Sequence, residues 1–529
     1  MSLKPKPCRA AATLDPLEVS WSEIGRQHIR LTRVILLQVD RLEQDASEVL
    51  RLVRAVKNTL APINRIPPEL LSLIPRYWSY PTDKDLVALT HVCWRWRETL
   101  TRCPSLWTRL DCRHAQKTRA FIERSMALPL EIEHPHYEDP YDLDALSLVG
   151  LHAGRVVSIE IAGEEEDLFR SFVEHFSCPI PLLRNLDLSF QLDNPPELND
   201  ALFDGNLSSL CTLSLSAFFP RLPCRDLSKL TTIALNYIPG AEISLTQLLD
   251  LFANAPILNK VELDHAIPDS SDAPPGRMVS LPHLTSFSMC TDIQSFSILL
   301  NHLSIPAGAL LDLGFGFNID EFPLQRSLPE NPENLQNLLF ITSVFLKFGK
   351  EEVDMQLNGP SGRLEIWGHR KPRSERKILQ SLDFLTLSKT QTLAVTSYNL
   401  PTLEDCSKSP PHRILNVMKD LRTLFLNSCS APPFILALNP HQCPTQLILC
   451  PELENLILYA EERRLFNFEQ LTTMAKRRAS EGAKLQSITM ISGDELVTEE
   501  DVFGLRDHVG HVECRFGEGR PAWDDIPGN

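Results

Sequence analysis

Large apolar residues recur through most of the chain in a short pattern of three aliphatic positions, L-x-x-L-x-L. Leu183, Leu186 and Leu188 form one such unit, and polar residues fill the alternate positions of its second half. This alternation predicts a β-strand with one buried face. The central apolar residues of the units are Ile159, Leu186, Leu213, Ile233, Val261, Phe287, Leu385, Leu424, Leu456 and Ile488. The period fades between residues 306 and 398, where more strand and less helix is expected.

Stretches with helical periodicity precede many of these strands. They cover residues 117–126, 143–152, 167–176, 246–254, 293–303 and 468–478. Over the first six units the repeat length is roughly 20 to 28 residues, close to that of leucine-rich repeats. The pattern predicts that residues 114–516 form an irregular leucine-rich-repeat-like α/β solenoid whose parallel strands line a concave face. The alternative is an ordinary α/β domain without an open face.

A long amphipathic helix is predicted before the repeats, over residues 21–61. Its apolar residues alternate at spacings of four and three, and charged residues occupy many of the positions between them. This heptad seam consists of Ile35, Val39, Leu42, Ala46, Val49, Val53, Val56 and Leu60. Such a seam predicts a coiled coil, so the helix should pack either on a second copy, as a homodimer, or on its own chain. Residues 1–20 and 517–529 are expected to be disordered.

Between the long helix and the repeats, residues 62–113 are predicted to form three short helices. Pro67 stands at the start of the first helix, where a missing N–H is tolerated. Pro75 comes early enough to shorten or kink that helix. A second helical stretch, with one break, is predicted over residues 82–102.

These residues resemble an F-box. The resemblance rests on residues 66–71, 92–93, 96–97 and 104–107. Residues 117–130 resemble the continuation seen in the large F-box families of mushroom-forming fungi. Two departures are visible: Ile66 replaces the usual leucine before the proline, and Pro75 interrupts the first helix.

The resemblance implies a function in protein recruitment. An F-box docks on the Skp-type adaptor of a cullin-RING ubiquitin ligase, an SCF-type complex, and the repeats that follow it hold a protein substrate. The residues expected to bind the adaptor are the apolar ones of the match: Pro67, Leu70, Leu71, Ile74, Leu86 and Trp107. The chain is then a substrate-recognition subunit, and the alternative is an interaction scaffold that recruits no ligase.

The acidic composition argues against nucleic acid as the main partner. The 529 residues carry a net charge of −16, whereas phosphate binding needs a basic surface. Residues 1–16 lack the apolar core of a cleavable signal, and the longest apolar stretch, residues 338–348, is too short to span a bilayer. We therefore expect a cytoplasmic or nuclear chain, or both, that is not integral to a membrane.

Motifs of common enzymes are absent from the sequence, including the Walker loop, G-x-S-x-G and H-E-x-x-H. Two groups loosely resemble metal-ligand sets. His134 and His136 fit a solvated acidic loop better, and His441, Cys443 and Cys450 lack a fourth ligand. We expect no catalytic, cofactor-binding or metal-binding residues, no cofactor, and a chain that is not an enzyme. An unrecognised hydrolase is the remaining alternative.

Substrate binding is predicted on the strand face that points away from the leucine core, between residues 183 and 490. In a strand, successive side chains point to opposite faces, so the residue between the last two leucines of each unit should lie on that face. The predicted surface includes Asp187, Ser214, Ala234, Glu262, Ser288, Phe425, Ile457 and Thr489. This mixture of polarities suits a protein partner better than nucleic acid.

Overall fold

A computed structural model describes residues 16–77, 83–134, 141–191, 203, 207–219, 226–238, 243–268, 272–274, 276–291, 293–319, 327–370, 375–382, 385–397, 409–439, 448–460, 466–492 and 499–516. The chain divides into two compact units. The first comprises residues 1–108 and 124–126, and the second comprises residues 109–123 and 127–529. Residues 1–15 and 517–529, for which the sequence predicts disorder, lie outside the described residues.

Helix α1 (Pro16–Leu60) opens the first unit and has 45 residues. It begins earlier than predicted, at a proline, because the first turn of a helix does not need that N–H. Every side chain from Gly25 to Leu60 is exposed, and these include all eight residues of the heptad seam. No helix in the described ranges combines the length and the apolarity needed to cross a membrane.

Three short helices follow in this unit: α2 (Pro68–Leu73), α3 (Asp83–Thr90) and α4 (Trp94–Thr101). Helix α2 ends early and continues as a 3-10 turn, Ile74–Tyr77, because Pro75 lacks the N–H that an α-helix would use. The predicted break in the second stretch falls before α4, where Cys93 has an extended backbone with φ −161° and ψ 173°.

The rest of the chain alternates strands and helices. The helices are α5 (Ala115–Arg124), α6 (Leu143–Gly150), α7 (Glu166–His175), α8 (Leu245–Ala253), α9 (Ile293–Leu300), α10 (Glu375–Ser381), α11 (Pro410–Val417), α12 (Ala431–Ala437), α13 (Phe468–Ser480) and α14 (Glu499–Arg506). The strands are β1 (Arg109–Leu110), β2 (Leu130–His134), β3 (Val156–Gly163), β4 (Asn185–Phe190), β5 (Thr212–Ser216), β6 (Thr232–Asn236), β7 (Lys260–Asp264), β8 (Val279–Ser280), β9 (Ser286–Thr291), β10 (Leu303–Ser304), β11 (Leu310–Ile319), β12 (Ser343–Phe348), β13 (Glu352–Asn358), β14 (Arg363–Arg370), β15 (Thr392–Ser397), β16 (Thr423–Asn427), β17 (Asn455–Ala460), β18 (Ser487–Ser492) and β19 (His511–Phe516).

One sheet of 17 strands organises the second unit. Its strands pair in the order β1-β2-β3-β4-β5-β6-β7-β9-β11-β14-β13-β12-β15-β16-β17-β18-β19. All pairs are parallel except β12–β13 and β13–β14, which form two consecutive hairpins. The sheet follows the chain with this one local reversal, and its ends β1 and β19 do not pair, so the fold is mixed α/β and not a closed barrel. Strands β8 and β10 form a separate parallel pair.

The leucines of the repeated pattern form the core of this unit. Leu183, Leu186 and Leu188 are fully buried, whereas Asp187 between them is exposed. The same alternation of buried and half-exposed residues holds in β5, β6, β7 and β17. Consecutive helices also contact each other, as α6 and α7 do, and likewise α11 and α12. Since burying one large aliphatic side chain contributes about 1.5–3 kcal/mol, the repeated leucines are a principal source of stability here.

One predicted strand is wrong. The leucines around Leu385 match the pattern, but the strand of this repeat is β15, further along the chain. Leu393 of β15 pairs with Leu424, which leaves Thr390 in the place of the first leucine. Thr390 is fully buried and donates its hydroxyl to the Ile341 carbonyl at 3.2 Å. A buried, hydrogen-bonded threonine therefore stands in the position of the first leucine. For this reason the pattern of apolar residues does not reveal the strand of this repeat.

Candidate functional site

A small apolar core holds the three short helices together. Leu71 of α2 is buried with Trp96 and Leu100 of α4. Partly buried residues pack around them: Ile66, Ile74, Leu89, Cys93 and Leu106. The segment therefore has an apolar core built from its own residues.

Trp107 follows the last of these helices and is fully buried. Its indole Nε1 donates to the carbonyl oxygen of Leu100 at 2.9 Å. The Arg124 guanidinium lies 4.4 Å from the ring centroid, a cation–π contact. The polar edge of the indole and one of its faces thus both make contacts with residues of the first unit.

The six residues predicted to bind an adaptor divide into two groups. Pro67 and Leu70 are exposed, Leu70 by 53%, and Ile74 is half-buried. The other three are buried and are not accessible to a partner while the helices stay packed: Leu71, Leu86 and Trp107. The accessible part of the predicted interface is therefore narrower than the sequence match. Its contact with an adaptor stays a prediction.

On the sheet, one row of side chains lies on the face opposite the repeated leucines. Each strand from β2 to β19 in the large sheet contributes one residue, and the register pairs it with the next. In sheet order the row is Glu133, Glu160, Asp187, Ser214, Ala234, Glu262, Ser288, Asp312, Glu365, Gln356, Phe345, Ala394, Phe425, Ile457, Thr489 and Glu513. All eight positions that the sequence assigns to one surface belong to this row.

The first residues of the row are carboxylates on adjacent strands. Burial raises the pKa of Glu160, and the neighbouring Asp187 and Glu133 raise it further. The side chain of Asp187 is exposed, but the surrounding sheet removes part of its hydration and so raises its pKa, which a hydrogen bond from Ser214 partly opposes. Arg109 lies beside the group, with its Nη1 3.6 Å from a Glu133 carboxylate oxygen. This end of the row carries more negative than positive charge.

Further along the row the surface is covered. Phe425 is 2% exposed and forms a second apolar cluster with Phe345 and Ala394, against which Ile457 and Tyr459 pack. The prediction that Phe425 lies on an open surface is therefore wrong. Both faces of β15 and β16 are buried, and the unbroken apolar run in β16 is the sequence signal for such a strand.

A polar cluster that sequence reasoning missed lies at the C-terminal ends of β7 and β9. Asp264 pairs in register with Cys290, and the Nδ1 atom of His265 lies 2.7 Å from Oδ1 of Asp264. The Tyr237 ring stacks on the imidazole, with centroids 5.5 Å apart and planes inclined by 5°. Burial, followed by the Asp264 carboxylate, raises the pKa of Cys290 to about 11. The repeat length could have predicted this contact, because Cys290 follows Asp264 by one repeat and therefore falls on the neighbouring strand.

The backbone is left-handed at equivalent positions after three consecutive strands. Ala217, Tyr237 and His265 have φ of 68°, 52° and 49°. Their N–H groups donate to carbonyls of the next strand at 2.9, 2.6 and 2.7 Å. A left-handed residue with a Cβ costs about 1–2 kcal/mol. The backbone hydrogen bonds to the next strand offset this cost, and they help to hold the stacked rings of Tyr237 and His265 in place.

The metal candidates from the sequence are not supported by the described residues. Asp142, in the acidic segment that follows His134 in the sequence, accepts backbone N–H bonds from Asp144 and Ala145 as the N-cap of α6. The Cys450 thiol is buried, donates to a backbone carbonyl, and has a pKa raised to about 12 by that burial. A buried arginine, Arg478, bonds the Cys450 carbonyl at 2.8 Å and disfavours a second cation there. His136, His441 and Cys443 lie outside the described residues.

Comparison with known families places one domain in this chain. The family model of F-box-like domains matches residues 63–113, which include α2 to α4 and β1. An F-box-like domain is typical of protein-interaction adaptors and implies binding of a Skp-type adaptor. No curated protein matches the chain.

Proposed function

We propose that this chain is the substrate-recognition subunit of an SCF-type cullin-RING ubiquitin ligase. The observation that carries the proposal is the F-box-like domain at residues 63–113. Pro67 and Leu70, exposed at the start of that domain, dock on the Skp-type adaptor, which links the chain to the cullin. The chain contributes no catalytic group and is not an enzyme. It accelerates ubiquitin transfer by holding a substrate lysine close to the charged conjugating enzyme.

The second unit, in this proposal, is a leucine-rich-repeat-like solenoid that binds a protein substrate. Support comes from the parallel strands paired in chain order and from the buried leucines on one face. The opposite row, from Asp187 to Thr489, supplies the substrate surface, except at Phe425 and its buried neighbours. Its half-exposed carboxylates, such as Glu262, disfavour nucleic acid as the partner.

Helix α1 pairs with a second copy of the chain. Its heptad seam is apolar and exposed, with Leu42 at 67% and Val49 at 59%. A coiled-coil dimer covers such a seam, because each seam residue packs between residues of the facing helix. The ligase subunit is then a homodimer.

A scaffold that recruits no ligase is the second candidate. It is favoured by the burial of Leu71, Leu86 and Trp107, since an adaptor then finds few apolar anchors on the F-box-like domain. Exposure of Leu70 favours the ligase.

The deciding experiment is co-purification of the full chain with a purified Skp-type adaptor and cullin. We expect the native chain to retain the adaptor. Leu70→Asp should weaken binding at least about thirtyfold, because the loss of one interface anchor costs about 2 kcal/mol or more. Leu151→Asp is the matched control, since Leu151 is a strongly exposed leucine of the other unit. A native chain that retains no adaptor would exclude the ligase role, and unchanged binding of Leu70→Asp would exclude this docking surface.

A further inference from the structure

Three different metal-ligand types converge at the ends of β7 and β9. Asp264 and Cys290 are cross-strand neighbours in register, on the strand face opposite the leucine core. His265 comes next in the chain, and its left-handed backbone, with φ 49°, accompanies a ring that turns back toward Asp264. The carboxylate oxygen, the imidazole nitrogen and the thiol sulfur all lie within 4.8 Å of one another.

The charges around this group favour a cation. Both Asp264 and Asp312 act on the Cys290 thiol as negative neighbours. Glu262 lies two residues before Asp264 on the same face, and its neighbour Lys260 is engaged in an ion pair with it. Because Lys260 is already paired with Glu262, the carboxylates of Asp264 and Asp312 give the site a net negative potential.

We propose that Asp264, His265 and Cys290 form a binding site for a divalent transition-metal ion of the Zn²⁺ class. Carboxylate oxygen, imidazole nitrogen and thiolate sulfur are the donors that Zn²⁺ takes in proteins, and mixed sets with sulfur exclude Mg²⁺ and Ca²⁺. The site is independent of the ligase role.

Binding requires only small movements. Two ligands of a tetrahedral zinc ion are about 3.3 Å or more apart, so the Asp264 and His265 atoms, now 2.7 Å apart, must separate slightly as the ion enters between them. The Cys290 thiol releases its proton to solvent. The proton that Nδ1 of His265 donates to Asp264 also leaves that atom, and the neutral ring carries its proton on Nε2 instead. The bound ion then has a thiolate, a neutral imidazole and a carboxylate as ligands.

Tyr237 is the positioning residue of this site. Its ring stacks on the imidazole, and its side chain also hydrogen-bonds Asp264, so it orients two ligands at once. Three protein ligands leave one tetrahedral position, which is open to water or to a donor from a bound protein.

Cobalt(II) tests the proposal on the full chain, because a Co²⁺–thiolate bond gives a charge-transfer absorption in the near ultraviolet. We expect the native chain to show this band with one Co²⁺ per chain, and Zn²⁺ to abolish it by displacement. Cys290→Ser should remove the band. His265→Asn, which keeps a residue suited to left-handed backbone, should weaken binding at least about tenfold. Tyr237→Phe, which keeps the stacked ring and removes the hydroxyl, should weaken it less.

Two matched controls separate the site from general effects. Cys211→Ser removes a half-buried thiol that precedes β5, and His283→Asn removes an exposed imidazole. Both should bind Co²⁺ like the native chain. Metal-free thermal unfolding of each variant shows whether it is folded. A native chain without the band at stoichiometric Co²⁺, or a band that survives in folded Cys290→Ser, would overturn the proposal.

Discussion

The indole Nε1 of Trp96 donates a hydrogen bond of 2.8 Å to Oδ1 of Asn64, and both side chains are buried. The other end of the same amide, Nδ2 of Asn64, donates to the carbonyl of Asn58 at 2.7 Å, in the last turn of α1. The side chain of Asn64 thus links the long helix to α4, and it lies 32 residues before Trp96 in the sequence. The pair fixes where the F-box-like domain begins relative to α1.

Loss of this bond should destabilise the F-box-like domain. In Trp96→Phe the buried amide oxygen loses its main donor, which lowers the free energy of unfolding by about 1–3 kcal/mol. Urea unfolding followed by circular dichroism measures the change. Trp94→Phe is the matched control, because Trp94 is 75% exposed and should change stability by less than about 0.5 kcal/mol. Equal effects of the two substitutions would contradict the structural role of Trp96.

Arg478 should stabilise the second unit from inside. Its side chain is fully buried, and its Nη1 and Nη2 donate to the carbonyls of Leu449 and Cys450, each at 2.8 Å. Arg478→Met leaves both carbonyls without this donor, so we expect a loss of about 2–5 kcal/mol in the free energy of unfolding. Lys476→Met, at an exposed position of the same helix, should have little effect. A calorimetric melt that is the same for both variants would exclude this role.

The cluster of carboxylates at the start of the row, Glu133, Glu160 and Asp187, predicts that Glu160 affects the stability of the fold in a pH-dependent way. Its pKa is raised above the ordinary 4.5, so the folded chain binds this proton more tightly than the unfolded chain. The charged carboxylate is therefore destabilising above the raised pKa, and this penalty disappears as the pH falls below the ordinary value. Glu160→Gln should raise the melting temperature at pH 7, with a gain that shrinks toward pH 4.

The control for this effect is Glu131→Gln. The Glu131 carboxylate accepts a bond from Arg109 Nε at 3.2 Å, so its removal should not raise the melting temperature at pH 7. Melting curves measured from pH 4 to pH 8 compare the two variants. A Glu160→Gln gain that is the same at every pH would show that charge is not its cause.

Helix α1 should associate through its seam. We expect light scattering to give twice the chain mass of 59.8 kDa at micromolar concentrations. The double substitution Leu42→Asp and Val49→Asp places charges in the seam and should return the mass to that of one chain. Leu37→Asp with Leu52→Asp changes two exposed leucines outside the seam and should leave the dimer intact. A native chain that is monomeric at every concentration would remove the homodimer.

Much of the local structure is determined by the sequence itself. The spacing of three and four in α1, the alternation around Leu186, and Pro75 each act on the nearest neighbours along the chain. Helix geometry, strand geometry and the missing proline N–H operate over a few residues, so they are readable without tertiary information. For the same reason, alternation placed Asp187 and Ser214 correctly on one face of the sheet.

Tertiary structure alone decided what covers each face. Alternation assigns Phe425 to the face opposite the leucines, but Phe345 and Ala394 arrive there from strands far away in sequence and help to bury it. Leu71 became core rather than interface because α4 packs on it. Cys290 meets Asp264 only through the pairing of β7 with β9. Periodicity sets the direction of a side chain, whereas burial and ligand geometry depend on which distant segments pack beside it.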